Sequence, residues 1–123
     1  MLEIHPIQEE TERQEYITRL QLPAGTAVLR ARENGGVTGN IAVCAEGSAQ
    51  EAVLRILAFD CADAFTGELL IRAAISYAFN RAIPVVALPT PLGDPLFDKV
   101  GFRPDGDSEW TIRTDSVVHF CQK

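Results

Sequence analysis

This sequence is short of what a membrane segment, a disulfide framework or a nucleic-acid surface requires. No window among its 123 residues holds the roughly 18 to 20 uninterrupted apolar residues of a membrane-crossing helix. The opening MLEIHPIQEE carries acids where a secretory leader would carry bases and an apolar run. A cytoplasmic protein with no membrane partner is expected. Basic residues are few: eleven Lys and Arg against seventeen Asp and Glu leave a net charge of −6, with a pI near 4.8. That balance opposes any partner held through an array of phosphates, so no nucleic acid is expected. Cys44, Cys61 and Cys121 are odd in number, widely spaced and free of any CxxC pattern. Reduced thiols follow, without a disulfide framework or a zinc site. His5 and His119 lie near opposite ends and show no metal-ligand spacing.

What the chain does have is 46% hydrophobic residues, enough at this length for one domain with a real core and too little for two. A single domain over residues 1–123 is expected. Residues 2–7 show the short alternation of a strand, with Pro6 suited to its edge or end. Residues 8–20 turn helical, with Ile7, Tyr16, Ile17 and Leu20 as one apolar stripe and Glu9, Glu10, Glu12, Arg13 and Glu15 toward water. Pro23-Ala24-Gly25 stops that helix, residues 26–32 alternate, Asn34-Gly35-Gly36 makes a hairpin turn, and residues 37–45 return.

After the turn at Glu46-Gly47-Ser48, the nearly continuous apolar run at 51–60 suits a central strand buried on both faces. A helix over about 64–80 follows, with Leu69, Leu70, Ala73, Ala74 and Tyr77 on its apolar face, then a strand at 83–88. Such short connections make a crossover between parallel strands. A small helix near 94–100, a turn at 104–107, alternation at Trp110, Ile112 and Thr114, and a final strand at 117–120 complete the chain. The reading is an α+β domain with a mixed, mostly antiparallel, twisted sheet and a central β-α-β crossover.

The run Gly67-Glu68-Leu69-Leu70-Ile71-Arg72-Ala73-Ala74, the strand at 83–88 and the closing Leu96-Phe97-Asp98-Lys99-Val100-Gly101-Phe102 together resemble the second half of a GNAT-type N-acetyltransferase. The resemblance covers about 35 residues well and implies an acyl-CoA N-acyltransferase-like fold. It further implies that the strand at 51–60 splays from the one at 83–88, with acetyl-CoA or another acyl-CoA in the opening. The cofactor would then run along Leu57, Ala58 and Phe59 and end at the turn formed by Ala62, Asp63, Ala64, Phe65, Thr66 and Gly67, with Phe97 alongside. A pyrophosphate would be held there by free backbone N–H groups and the positive end of the helix dipole.

Relatives carry Q/R-x-x-G-x-G/A at this turn, where this chain reads Cys61-Ala62-Asp63-Ala64-Phe65-Thr66. Asp63 can cap the helix with its own carboxylate, and Thr66 can compete for the same donors. Amine acylation also needs a base for the ammonium proton and an acid for the departing thiolate. The tyrosine that often supplies the acid is Phe97 here, and the accompanying asparagine is Thr90. Tyr16 and Tyr77 are the remaining phenols.

Among Glu46, Glu51 and Asp60, Asp60 is the candidate base, because it follows the apolar run at the C-terminal end of a parallel strand. Arg55 and Arg72 are candidate anion contacts or ordinary surface arginines. The leading expectation is an acyl-CoA-dependent N-acyltransferase acting on a small-molecule or peptide amine, with a homodimer admitted. The alternative is a catalytically inactive module that keeps the fold without acetyl-CoA. A hydrolase using Cys61 as nucleophile ranks below both, for want of a histidine nearby in sequence.

Overall fold

The computed structural model describes residues 1–90 and 94–115. Its elements run β1 (Leu2–Pro6), α1 (Glu10–Leu20), β2 (Ala27–Glu33), β3 (Gly36–Glu46), a short 3-10 turn (Ala49–Glu51), β4 (Val53–Cys61), α2 (Ala64–Asn80), β5 (Val85–Pro89), α3 (Pro95–Val100), β6 (Arg103–Asp105) and β7 (Glu109–Arg113). The seven strands form one sheet in the order β1-β2-β3-β4-β5-β7-β6. Among the described residues only β4 and β5 pair in parallel; every other pair is antiparallel. The α+β reading and its β-α-β crossover hold. The strand expected at 117–120, His119 and Cys121 lie outside the described residues.

Local chemistry accounts for the turns. Asn34 and Gly35 both take positive φ, 54° and 86°, which is the two-residue hairpin geometry that matches strand twist. The main core lies between the sheet and α2, where Leu29, Ile41, Leu54, Ile56, Leu70, Ile71, Ile75 and Leu88 are buried. A smaller cluster of Tyr16, Val28 and Ala42 packs on the opposite face under α1.

Several expectations are corrected. β4 is not buried on both faces: Leu54 and Ile56 are enclosed, whereas Arg55, Leu57 and Phe59 are half-buried and Asp60 is exposed. The short α1 covers only part of its outer face. On α2 the buried stripe is Gly67, Leu70, Ile71, Ala74, Ile75 and Ala78, while Leu69, Ala73 and Tyr77 are half-buried. The helix is apolar over more than one face, so periodicity alone did not settle its rotation. Leu20 is exposed, and Glu12 and Arg13 are drawn in rather than facing water, because each bonds to the neighbouring strand or loop. Pro104 sits in the short edge strand β6, ahead of the turn.

Two irregularities position everything that follows. Ala42 pairs with Ala58 and Val43 with Ile56, so Leu57 is an extra residue bulged from β4. An inserted residue reverses the alternation beyond it. Phe59 therefore faces α2, while Ala58 and Asp60 face α1. The second irregularity is the length of the parallel pairing: Val53 with Val85, Leu54 with Val86, and Arg55 with Ala87. Residues 56–61 of β4 continue without a partner on β5. The strands part there.

Candidate functional site

The parting of β4 and β5 lies between the N-terminal end of α2 and α3. At the first of these, Asp63 is the cap: its side chain accepts from the Thr66 amide at 2.8 Å. The Thr66 and Phe65 amides and the Thr66 hydroxyl hold the Asp63 carboxyl below its usual range. The Ala62 amide is engaged as well, donating to the Thr38 carbonyl at 2.8 Å. Ala62, Asp63, Ala64 and Phe65 are exposed, and Thr66 and Gly67 are buried. The chain thus supplies its own anion to the first turn of the long helix.

Gly67 is small for a reason other than access to a ligand. A Cβ built there would stand 2.6 Å from Leu96 Cδ1, 2.8 Å from Cys61 Sγ and 3.3 Å from Phe59 Cζ. The glycine lets α2, β4 and α3 meet closely. Glu68 reinforces that contact, its carboxylate accepting from Lys99 at 2.9 Å and from Arg72 at 3.2 Å, and those two cations lower its pKa. α3 is capped in turn by Asp94, which accepts from Leu96 N at 2.9 Å.

Phe97, in the position of the expected tyrosine, is 0% exposed. Its ring meets Phe59 edge-on at 5.0 Å and Phe102 at 5.2 Å. It has no proton to give, and it works as the middle of an aromatic stack.

On the other face, a polar row crosses three strands at one register: Arg30 opposite Asn40, and Asn40 opposite Asp60. Arg30 Nε donates to Asn40 Oδ1 at 2.7 Å, and Asn40 Nδ2 donates to Asp60 Oδ1 at 3.3 Å. Glu12 of α1 closes the row, accepting from Arg30 and, at 2.6 Å, from Arg32. Tyr16 lies one register away, packed with Val28, Ala42, Leu57 and Ala58. It is 2% exposed, and its hydroxyl has no hydrogen-bond partner among the described residues. Burial raises the Tyr16 pKa first, and the Asp60 charge raises it further against the smaller opposing effects of Arg19 and Arg30.

The bulge at Leu57 therefore brings Asp60 to Tyr16 and Asn40, which are far apart in sequence. In the sequence Asp60 stands out as a candidate base, and Tyr16 as a member of the apolar stripe and a remaining phenol, whereas nothing there marks Asn40, Arg30 or Glu12 as part of a site. Alternation along the hairpin signals that Arg30 and Asn40 share a face, but nothing in the sequence marks the bulge.

The other candidates lie elsewhere. Arg55 bonds Glu109 at 2.6 Å and Glu46 at 3.0 Å near the start of β4, away from Asp60, and Glu51 sits in the 3-10 turn. Tyr77 carries the Arg81 guanidinium 3.5 Å from its ring centre. Burial, then Asp94, Asp60 and Asp63, push the Cys61 thiol up, so it stays protonated and is a poor nucleophile. No group of His, Cys, Asp and Glu among the described residues could hold a metal ion, and no helix among them is long and apolar enough to cross a membrane.

Against solved structures, the chain superposes on an N-acetyltransferase from Staphylococcus aureus with a TM-score of 0.70 at 12% identity, over 93% of this chain and 98% of that one. The fold is that of the GNAT N-acetyltransferases. A GNAT family acetyltransferase from Elizabethkingia anophelis with acetyl-CoA bound matches at a TM-score of 0.67 and 17% identity, over 91% and 97% of the two chains. An IAA acetyltransferase from Bacillus cereus matches at 0.64 and 15%, over 92% and 99%. No family model and no curated protein matches the sequence. The GNAT fold is shared across nearly the whole chain at identities that speak for architecture alone.

Proposed function

We propose that this chain is an acyl-CoA-dependent N-acyltransferase acting on a small-molecule or peptide amine in the cytoplasm. The observation that carries the reading is the β4–β5 pair, parallel through Arg55 and Ala87 and then open, with the Leu57 bulge at its mouth. An extended ligand arm can run along Leu57, Ala58 and Phe59, where backbone groups of β4 have no partner on β5. Further support comes from the acetyl-CoA held by the similarly folded Elizabethkingia protein.

Acetyl-CoA or another acyl-CoA supplies an activated acyl carbon as its thioester. The chain's part is to hold the two reactants and handle protons. The exposed Asp60 carboxylate takes a proton from the incoming ammonium. The neutral amine would then form the C–N bond as the C–S bond breaks, and the second proton that the nitrogen sheds in becoming an amide would pass through water to the departing thiolate, since Phe97 has none to give. The phosphates would meet the first turn of α2, where Asp63 already holds the Thr66 amide. Phosphate affinity is accordingly weaker than an uncapped, glycine-rich turn would give.

That same cap, with Phe97 enclosed, supports a second reading in which the fold serves as an inactive binding module. Release of free thiol from acetyl-CoA, followed with and without a panel of primary amines, separates the two. Amine-dependent release that falls about 100-fold or more in Asp60→Asn supports the transferase with Asp60 as base. No release above the protein-free rate with any amine, alongside no binding of CoA, leaves the module.

A further inference from the structure

We propose that the cleft between the exposed side of α1 and the Arg30 end of the polar row binds a small carboxylate, with the Arg19 guanidinium as its main contact. The informative feature is what Arg19 leaves unused. Every other described arginine faces a carboxylate or donates to a backbone carbonyl. Arg19 does neither among the described residues, although Glu15 stands four residues before it, the spacing at which such helix pairs commonly join. Its guanidinium lies instead over the Tyr16 ring, 5.4 Å from the centre. A planar fork of N–H donors is thus held by stacking and left open to an acceptor.

The surroundings favour an anion of single charge. A cavity of about 300 Å³ is lined by Glu12, Glu15, Tyr16, Arg19 and Arg30. Arg30 lies 5.9 Å from the same ring centre, so two guanidiniums stand over one aromatic face or edge of the cleft. Glu12 is already engaged, because Arg30 and Arg32 both donate to its Oε1. Asp60, whose charge reaches Tyr16, does not line the cleft. Glu15 is the opposing charge there, and it is exposed, where water and salt screen it. The guanidiniums of Arg19, Arg30 and Arg32 against the carboxylates of Glu12 and Glu15 leave one positive charge over, in a chain whose net charge is −6. A planar carboxylate takes two parallel N–H bonds from such a fork. A phosphate dianion would meet Glu15 with twice the charge. The cleft includes no residue of the 57–67 segment, so its occupant does not depend on acyl-CoA.

The test uses sodium propionate as the probe, with propionamide, sodium chloride and inorganic phosphate for comparison at constant ionic strength, followed through the arginine Nε–H signals of the isotope-labelled chain. The expected result is a saturable response to propionate at Arg19 and Arg30 that propionamide and chloride do not produce. Arg19→Gln, read at Arg30, should weaken it about tenfold or more, the equivalent of a hydrogen bond to a charged group. Glu15→Gln should tighten it. Both positions are exposed and neither side chain has a hydrogen bond among the described residues, so both variants should melt as wild type does.

Arg19→Lys separates the fork from its charge, since lysine keeps the charge and loses the paired donors. It should bind propionate more weakly than wild type. Wild-type affinity in Arg19→Gln or Arg19→Lys, a response that maps away from Arg19 and Arg30, or phosphate held more tightly than propionate would overturn the carboxylate site.

Discussion

The Asp63 carboxylate and the Thr66 amide meet at 2.8 Å, so the long helix opens on an anion built into the chain. This pair sets the first prediction. Asp63→Ala should lower the melting temperature measurably through loss of the cap, whereas Asp63→Asn should melt close to wild type because asparagine caps nearly as well. Thermal melts of the two variants check it. Equal losses would mean that the charge, not the hydrogen bond, is what α2 needs.

The same group predicts the acid limb of stability. Asp63 and Glu68 both have folded pKa values below their ordinary ones, held down by the α2 amides and hydroxyl in one case and by Lys99 and Arg72 in the other. A depressed carboxylate contributes stability that is present above the unfolded value, near pH 4, and is lost as pH falls through the folded value. Denaturant melts from pH 6 downward should show stability falling in that window, less steeply in Asp63→Asn. A stability that rises on acidification would contradict the assignment.

Tyr16→Phe is predicted to be as stable as wild type or up to about 1 kcal/mol more stable, since it deletes a buried hydroxyl with no partner among the described residues. Urea titration reads this directly. A loss greater than about 1 kcal/mol would mean that the hydroxyl is satisfied in the free protein.

Two tightly packed glycines, Gly39 and Gly67, should respond unequally to alanine. At Gly39 a Cβ would meet the Asp60 carbonyl at 2.8 Å and Cys61 Cα at 3.2 Å, both backbone, as well as Leu70 Cδ1 at 2.7 Å. At Gly67 the obstacles are side chains, and alanine's helix propensity returns roughly 1 kcal/mol. Overpacking of this kind costs about 1–3 kcal/mol. Gly39→Ala should therefore be clearly the more destabilised in urea, and the reverse order would contradict the packing described.

Much of the architecture was legible in the sequence. The helix read at 64–80 is Ala64–Asn80, the Asn34-Gly35 turn lies where its φ preferences put it, and β4 and β5 are parallel. Those features rest on local rules: turn residues, apolar runs and connection length. The polar row was not legible because it depends on register across three strands and on one bulged residue, Leu57, that reverses which face Asp60 occupies. The rotation of α2 was lost for a related reason: Leu69, Leu70, Ile71, Ala73, Ala74 and Ile75 offer more than one apolar face, and the sheet chooses between them. The capping role of Asp63, by contrast, was visible from residue type and position alone.

The most direct test of the whole account is a melting curve in the presence of acetyl-CoA, run on wild type and Asp63→Asn. A ligand held in the β4–β5 opening at one hundred times its dissociation constant stabilises the fold by about 2.7 kcal/mol. Both proteins should shift upward, and Asp63→Asn should shift further, because its cap no longer repels a phosphate. No shift in either protein at millimolar acetyl-CoA would contradict the proposed acyl-CoA site.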